Sequence, residues 1–402
     1  MLIIALTKAV PSRTTQIVTA GGILRREAME LVMNPHDVKA FEAADYLKRR
    51  VGGKVVALSM GPDAKLVPIM QNLYEIHVEG VDECYVLSDR RMAGADTWAT
   101  AYTVSLGVKK VVELHVEAVQ QLMDMLSGGA DPARIEEAAS NLYHRNLLPN
   151  KVYSTLPPMK DTIVARFVSG VFSRSEALEA LEAVKAELMK FIVVAGIKTT
   201  DGETGSTGPQ VAEALSQAMG TVVPHITYVH ELAIDPSTFR VEVERRVGRV
   251  IQRLESPLPC VLTISHDYRP SSPPASVKPM VRANNYRGKV RRVVVWNADQ
   301  IGADPSKIGL AGSPTLVGPG VDIGKPPSQK FVGKTWVFKR PVPELLVDGT
   351  RLGPFQVGDI VPQIPEELRR ELHSQGVIGL FTLEDLVREL FKVEMYAAKP
   401  RF

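Results

Sequence analysis

The stretch Thr199–Leu215, TTDGETGSTGPQVAEAL, carries the residue types best suited to chemistry. Thr199–Gly208 holds three glycines, four threonines and one serine, and a helical pattern follows at once. Gly202, Gly205 and Gly208 would let backbone come close to a ligand. Ser206 and Thr207 offer hydroxyl donors, and Pro209 fits the first turn of a helix. The free N–H groups and dipole of that helix start would favour an anion. The lysine of a Walker-type loop is missing, which disfavours γ-phosphate chemistry. The expected ligand is therefore held and not hydrolysed. An ordinary strand-to-helix turn shows the same pattern, and the residues alone leave both readings open.

Other candidates are weaker. In MNPHD, Asn34 suits an N-cap and Pro35 the first turn, followed by His36 and Asp37. Asp37 there is explained by the helix dipole without any ligand. DRRMAGADTWAT (Asp89–Thr100) is a third loop-to-helix junction, with Asp96 as a cap and Ala93, Gly94, Ala95, Asp96 and Thr97 at its turn. SGGADP (Ser127–Pro132) is a poor match to a pyrophosphatase loop, because it follows a helix and ends in Pro132. His225 and His230 lie five apart on a strand-like run, so alternation places them on opposite sides, and no metal site is expected.

Elements must position these residues. LIIAL, KVVALSM, ECYVLS and FIVVAGI read as buried strands. His36–Arg50 reads as a helix with Val38, Phe41, Ala44 and Leu47 along one face. Alternating strands and helices predict an α/β fold, with a mostly parallel sheet and helices on both faces. From about Val112 to Lys190 the chain reads as helical, an insertion into the core. HITYVHEL, RVEVERRV and PCVLTIS read as strands near an antiparallel edge. Tyr268–Ala283 is proline-rich and reads as a long exposed loop. The expected organisation is a nucleotide-binding core over 1–112 and 191–265 and a helical insertion over 113–190. A partner-recognition loop and C-terminal arm would span 266–330, and a small module 331–402.

Composition narrows the classes. The chain has 402 residues and a net charge of +3, too near neutral for a strong nucleic-acid field. No apolar run reaches the roughly 20 residues of a membrane helix. Cys84 and Cys260 lie in apolar runs, and neither forms a CxxC. Two core thiols in a reducing, cytoplasmic compartment are expected.

Several pieces then converge, in order, on one family. They are ALTKAVP, VMNPHDVKAFEAA, VVALSMGP, AGADTWATAYT, VAGIKTTDGETGSTGPQVAEAL, LPCVLTIS and ADQIGADPSKIGLAGSPTLV. This chain resembles the β subunit of electron transfer flavoprotein, the ETF β/FixA family, over most of residues 1–110 and 191–320. The resemblance implies a Rossmann-like fold of the adenine nucleotide α-hydrolase type. It also implies a heterodimer with an FAD-bearing α subunit, which exchanges electrons with a dehydrogenase or quinone oxidoreductase. An adenine nucleotide would bind with its phosphates on Asp201, Gly202, Glu203, Thr204, Gly205, Ser206, Thr207, Gly208, Pro209, Gln210, Val211 and Ala212. Leu6, Asn34, Pro35, His36, Asp37 and Met60 would line the rest of that seat. In ordinary members the nucleotide is AMP. In bifurcating members it is part of a second FAD, which accepts a hydride from NADH, and the AGADTWAT segment (Ala93–Thr100) is similar to that branch. No protein nucleophile or general base is expected, because the flavin carries the chemistry.

The chain departs from the family in the docking loop, where lysine-rich members have IMKAKKK. Here MVRANNYRGKVRR places Asn284 and Asn285 at lysine positions. The helical insertion and the C-terminal module have no counterpart in the resemblance. The alternative reading is a non-redox nucleotide-binding regulatory module of the same fold.

Overall fold

The computed structural model describes residues 1–12, 19–20, 23–24, 30–76, 81–155, 161–269, 292–315, 334–382 and 385. The proline-rich loop and most of the docking segment lie outside these residues. The chain divides into one unit over Met1–Gly320 and a second over Val321–Phe402.

The first unit is built on strand β1 (Leu2–Thr7). Short ribbons follow, β2 (Ala9–Pro11) pairing with β5 (Leu31–Met33), and β3 (Thr19–Ala20) with β4 (Ile23–Leu24). Helix α1 (Pro35–Val51), β6 (Lys54–Met60), α2 (Asp63–Ile76), β7 (Glu83–Leu87) and α3 (Thr97–Ser127) come next. Helices α4 (Pro132–His144), α5 (Ile163–Val168) and α6 (Arg174–Leu188) lead back to β8 (Ile192–Gly196). Then come α7 (Thr207–Met219), β9 (His225–Ile234), β10 (Val241–Val247), β11 (Val250–Ser256), β12 (Cys260–Ile264) and β13 (Val293–Trp296).

These strands form one nine-stranded sheet in the order β11-β10-β9-β12-β8-β1-β6-β7-β13. All neighbours from β9 to β13 pair in parallel, and β10 and β11 add antiparallel pairs at one edge. Alternation along β1 explains why both faces are covered. Leu2, Ile4 and Leu6 join the core beneath α3, α6 and α7, whereas Ile3 and Ala5 join that beneath α1 and α2. Each fully buried Leu or Ile contributes about 1.5–3 kcal/mol relative to exposure, so a one-residue slip of β1 would forfeit both faces.

Four features depart from the sequence expectations. Val38 is exposed at 37%, while Phe41, Ala44 and Leu47 are fully buried. Steps of three residues drift round a helix, so Val38 falls at the edge of the buried face, which Asp37 and Ala40 occupy in its place. The expected boundary at residue 112 falls inside α3, a single helix of 31 residues. Its apolar stripe, from Val104 to Leu126, runs from the sheet onto α4, α5 and α6 in one continuous core. Gly107 permits that close seating, since a Cβ there would lie 2.8 Å from Leu87 Cδ1. The arm over 292–315 is likewise part of the first unit, because β13 pairs in parallel with β7.

The fourth departure is β9. It is ten residues long and pairs in parallel with β12. Register shifts on both sides and Tyr228 at φ +57° break its alternation. Ile226, Val229 and Leu232 therefore enter one core despite their odd spacings. The alternation expected to separate His225 from His230 does not hold. His225 Nε2 lies 3.3 Å from Thr263 Oγ1, and His230 Nδ1 lies 3.2 Å from Asp267.

In the second unit β14 (Lys334–Phe338) pairs antiparallel with β17 (Ile378–Thr382), and β15 (Leu345–Val347) with β16 (Thr350–Leu352). Asp348 and Gly349, both at positive φ, make the tight hairpin between β15 and β16. Helix α8 (Glu366–Ser374) adds Leu372 to a small core with Phe338, Leu345 and Ile378.

Candidate functional site

The sheet changes direction at its middle. From β1 the chain moves outward through β6 and β7, then returns to the other side of β1 as β8. Ligands of open α/β sheets bind beyond the carboxyl ends of the strands at such a point. The glycine-rich loop leaves β8 there and enters α7 on one face. Helix α1 begins beside it on the other face, over β1 and β8.

Glycines make this convergence possible. A Cβ on Gly196 would lie 2.5 Å from Asp37 Oδ1 and 2.7 Å from the His36 carbonyl carbon. A Cβ on Gly208 would lie 2.2 Å from Thr263 Cγ2, so only glycine lets the first turn of α7 rest on β12. Gly205 turns the loop at φ +64°. Glu203 is left-handed as well, at φ +52°, a conformation that costs a non-glycine residue about 1 kcal/mol.

Two helix starts face the switch point, and neither is capped by its own N-cap side chain: Asn34 at α1 and Ser206 at α7. Helices α3 to α6, by contrast, receive caps from Asp96, Asp131, Thr162 and Ser173. The open start of α7 leaves N–H donors for an acceptor from outside. Gly202 to Gly205 are exposed above it. Gln210 Oε1, in the first turn of α7, is buried without a hydrogen-bond partner among the described residues. Ser59 Oγ, near the carboxyl end of β6, is in the same state. Orphaned polar atoms of this kind need an explanation, and a polar ligand in the crevice supplies one.

The side chain of Asn34 is fully committed. Its Nδ2 donates to Asp37 Oδ1 at 2.9 Å and to the Lys198 carbonyl at 3.0 Å, and its Oδ1 accepts from Thr200 N at 3.3 Å. Asp37 Oδ2 accepts from Lys8 N at 2.8 Å. Burial pushes the Asp37 carboxyl up to about 7, against the pull of its hydrogen bonds to Lys8, Asn34, Thr7 and Gly196. His36 is lowered from its ordinary value by burial, then by Lys198 and His266, so it is neutral at pH 7. His225, below the first turn of α7, is lowered to about 4 by burial and by Arg245.

Lysine is absent from the loop but present beside it. Lys8 Nζ donates to both carboxylate oxygens of Asp201, at 2.9 and 2.8 Å. Lys198 Nζ pairs with Glu203 at 3.2 Å. Both cations thus brace the loop. Sequence reading passed over Lys8, Ser59 and Gly196. Lys8 follows the first strand directly, but nothing in its spacing shows that β1 and β8 are neighbours.

The structure brings Leu6, Asn34–Asp37 and Asp201–Ala212 to one crevice. Met60 lies at the end of β6, one strand further on, and Leu6, Val211 and Ala212 also serve the core. Ala93–Thr97 lies beyond β7, three strands from β8, where it opens α3, the helix that packs along α7. Asp96 there is spent on structure. Its Oδ1 accepts from Ala99 N, and its Oδ2 accepts from Thr315 N and Thr315 Oγ1. Arg91 bridges Asp89 and Asp299, fastening the same junction to the arm.

Comparison with known proteins agrees with this architecture. Residues 22–119 match the family described as Electron transfer flavoprotein domain. The chain is 26% identical to the electron transfer flavoprotein subunit beta of Thermoanaerobacterium thermosaccharolyticum, over 79% of this chain and 86% of that protein. It is 26% identical to Protein FixA of Azorhizobium caulinodans, over 79% and 83%. It is 25% identical to the caffeyl-CoA reductase-Etf complex subunit CarD of Acetobacterium woodii, over 79% and 86%. Residues 22–119 therefore form a match to the electron transfer flavoprotein domain. More narrowly, the chain is a distant homologue of the electron transfer flavoprotein β subunits and FixA proteins. Among the described residues, no helix is long and apolar enough to cross a membrane.

Proposed function

We propose that this chain is an electron-transfer subunit that holds an adenine nucleotide at the switch point. The phosphates would rest on the loop Asp201–Ala212. FAD of a bifurcating type is the reading we favour, and AMP is the other occupant the same donors would accept. The observation that carries the proposal is the uncapped start of α7, presented by an exposed glycine loop at the carboxyl edge of β8. Main-chain N–H groups of the first turn and the hydroxyls of Ser206 and Thr207 would bind the phosphates. Gln210 and Ser59 offer polar atoms that have no partner among the described residues.

A bound flavin would supply the electron or hydride chemistry. The protein's part is to hold, orient and shield it. Lys8 and Lys198, the cations that brace the loop among the described residues, are both tied to carboxylates, which fits a ligand kept intact. Asp96, used as a cap and clamp, is poorly suited to contact NADH, but the main chain at Ala93–Ala95 is compatible with a flavin-side wall. Partners would be an FAD-bearing α subunit and a dehydrogenase or quinone oxidoreductase. Both thiols are buried, as suits a reducing cytoplasm.

Titration of the purified chain with AMP and with FAD tests the placement. Thr207→Arg should abolish binding by filling the seat, whereas an unchanged affinity would remove the loop from the site.

A further inference from the structure

Nucleotide loops that order only on binding lose part of their affinity to that ordering. In this chain the loop is already fastened. Asn34 is fully buried and sits across the switch point from it. Its amide has two donors and one acceptor facing the protein, and each is matched: Asp37 Oδ1, the Lys198 carbonyl and Thr200 N. The reversed amide would set its oxygen against two acceptors, so the hydrogen bonds fix the orientation. Asp37 holds that amide from below, and its second oxygen is anchored on Lys8 N at the end of β1. Main chain continues the tie, with Asn34 N donating to the Lys8 carbonyl and Glu203 N to the Thr199 carbonyl.

We propose that Asn34 and Asp37 are positioning residues, a buried latch that presents the loop after β8 in its binding geometry before any ligand arrives. The inference rests on the functional reading above and deepens it. The side chains of both residues serve the protein. On the α1 side, contact with a ligand would fall to main chain and to His36. Truncating Asn34 frees the 198–200 turn, and changing Asp37 to Asn sets a donor against either Lys8 N–H or the Asn34 amide.

The test uses the full-length chain, with AMP and FAD as probes. Asn34→Ala and the isosteric Asp37→Asn should each weaken binding by about tenfold, the scale of one lost hydrogen bond. A spectroscopic readout separates the latch from general destabilisation. In the ligand-free wild type, the amide resonances of Lys8 and Thr200 should titrate together with the Asp37 carboxyl, near 7. In Asn34→Ala, Lys8 should still titrate and Thr200 should not. Other titrating or charged groups near Asp37 are His36 on α1, Lys198, Asp201 and Glu203 on the loop, His266 after β12, and Lys8 itself. Lys8 and Lys198 meet Asn34 only through their main-chain carbonyls, not through their charged groups, so that variant isolates the path from the Asp37 carboxyl. Wild-type binding with unchanged affinity in both variants overturns the latch, as does a Thr200 resonance indifferent to Asn34. A wild-type chain that binds neither probe overturns the functional reading instead.

Discussion

Asp37 and Gly208 show how single residues set the seat. A carboxyl raised from 3.8 to about 7 by burial is protonated in the fold and ionised in the unfolded chain over the pH range between. Its contribution to stability is fully present below the unfolded value and is lost as pH rises through about 7. Between about pH 6 and pH 8 Asp37 should therefore remove on the order of 1 kcal/mol, against the opposite contribution of the lowered His36 and His225, so the change in stability over that range should be more favourable in Asp37→Asn than in the wild type by that amount. Denaturant unfolding at the two pH values measures both. Gly208→Ala places a methyl 2.2 Å from Thr263 Cγ2 and should cost about 1–3 kcal/mol as well as nucleotide affinity. Gly202→Ala has no neighbour closer than 3.5 Å and should leave thermal stability nearly unchanged.

Elements determine how much of this was legible beforehand. β1, β6 and α1 could be read to within a residue or two, because buried runs and a 3.6-residue repeat are local signals. The glycine loop and the helix start at Pro209 were legible as a strand-to-helix junction for the same reason. The braces were not. Lys8 with Asp201, and Asn34 with Lys198, depend on β1 and β8 being neighbours, a fact of topology that no spacing encodes. The 112 boundary failed because α3 carries one stripe across two surroundings, and β9 escaped alternation through register shifts. The start of α3 separates structure from binding. Asp96→Ala removes a cap and the clamp on Thr315, and should lower stability by about 1–2 kcal/mol. It should leave AMP affinity at the loop after β8 within error by calorimetry, and a large loss would mean that the two junctions form one site.

At the scale of the molecule, the residues proposed for the seat belong to the first unit, and the second has a core of its own. A chain ending near Gly320 should fold and keep its nucleotide affinity; a soluble truncation without it would assign the second unit a part in binding. The stretch matching the electron transfer flavoprotein domain, residues 22–119, lies in the first unit. The most direct measurement is nucleotide extraction from the chain purified together with its α subunit. The account predicts one adenine nucleotide at this seat beyond the FAD of the α subunit: a second flavin in a bifurcating pair, or one AMP in an ordinary one. A pair that yields a single flavin and no other nucleotide would contradict it.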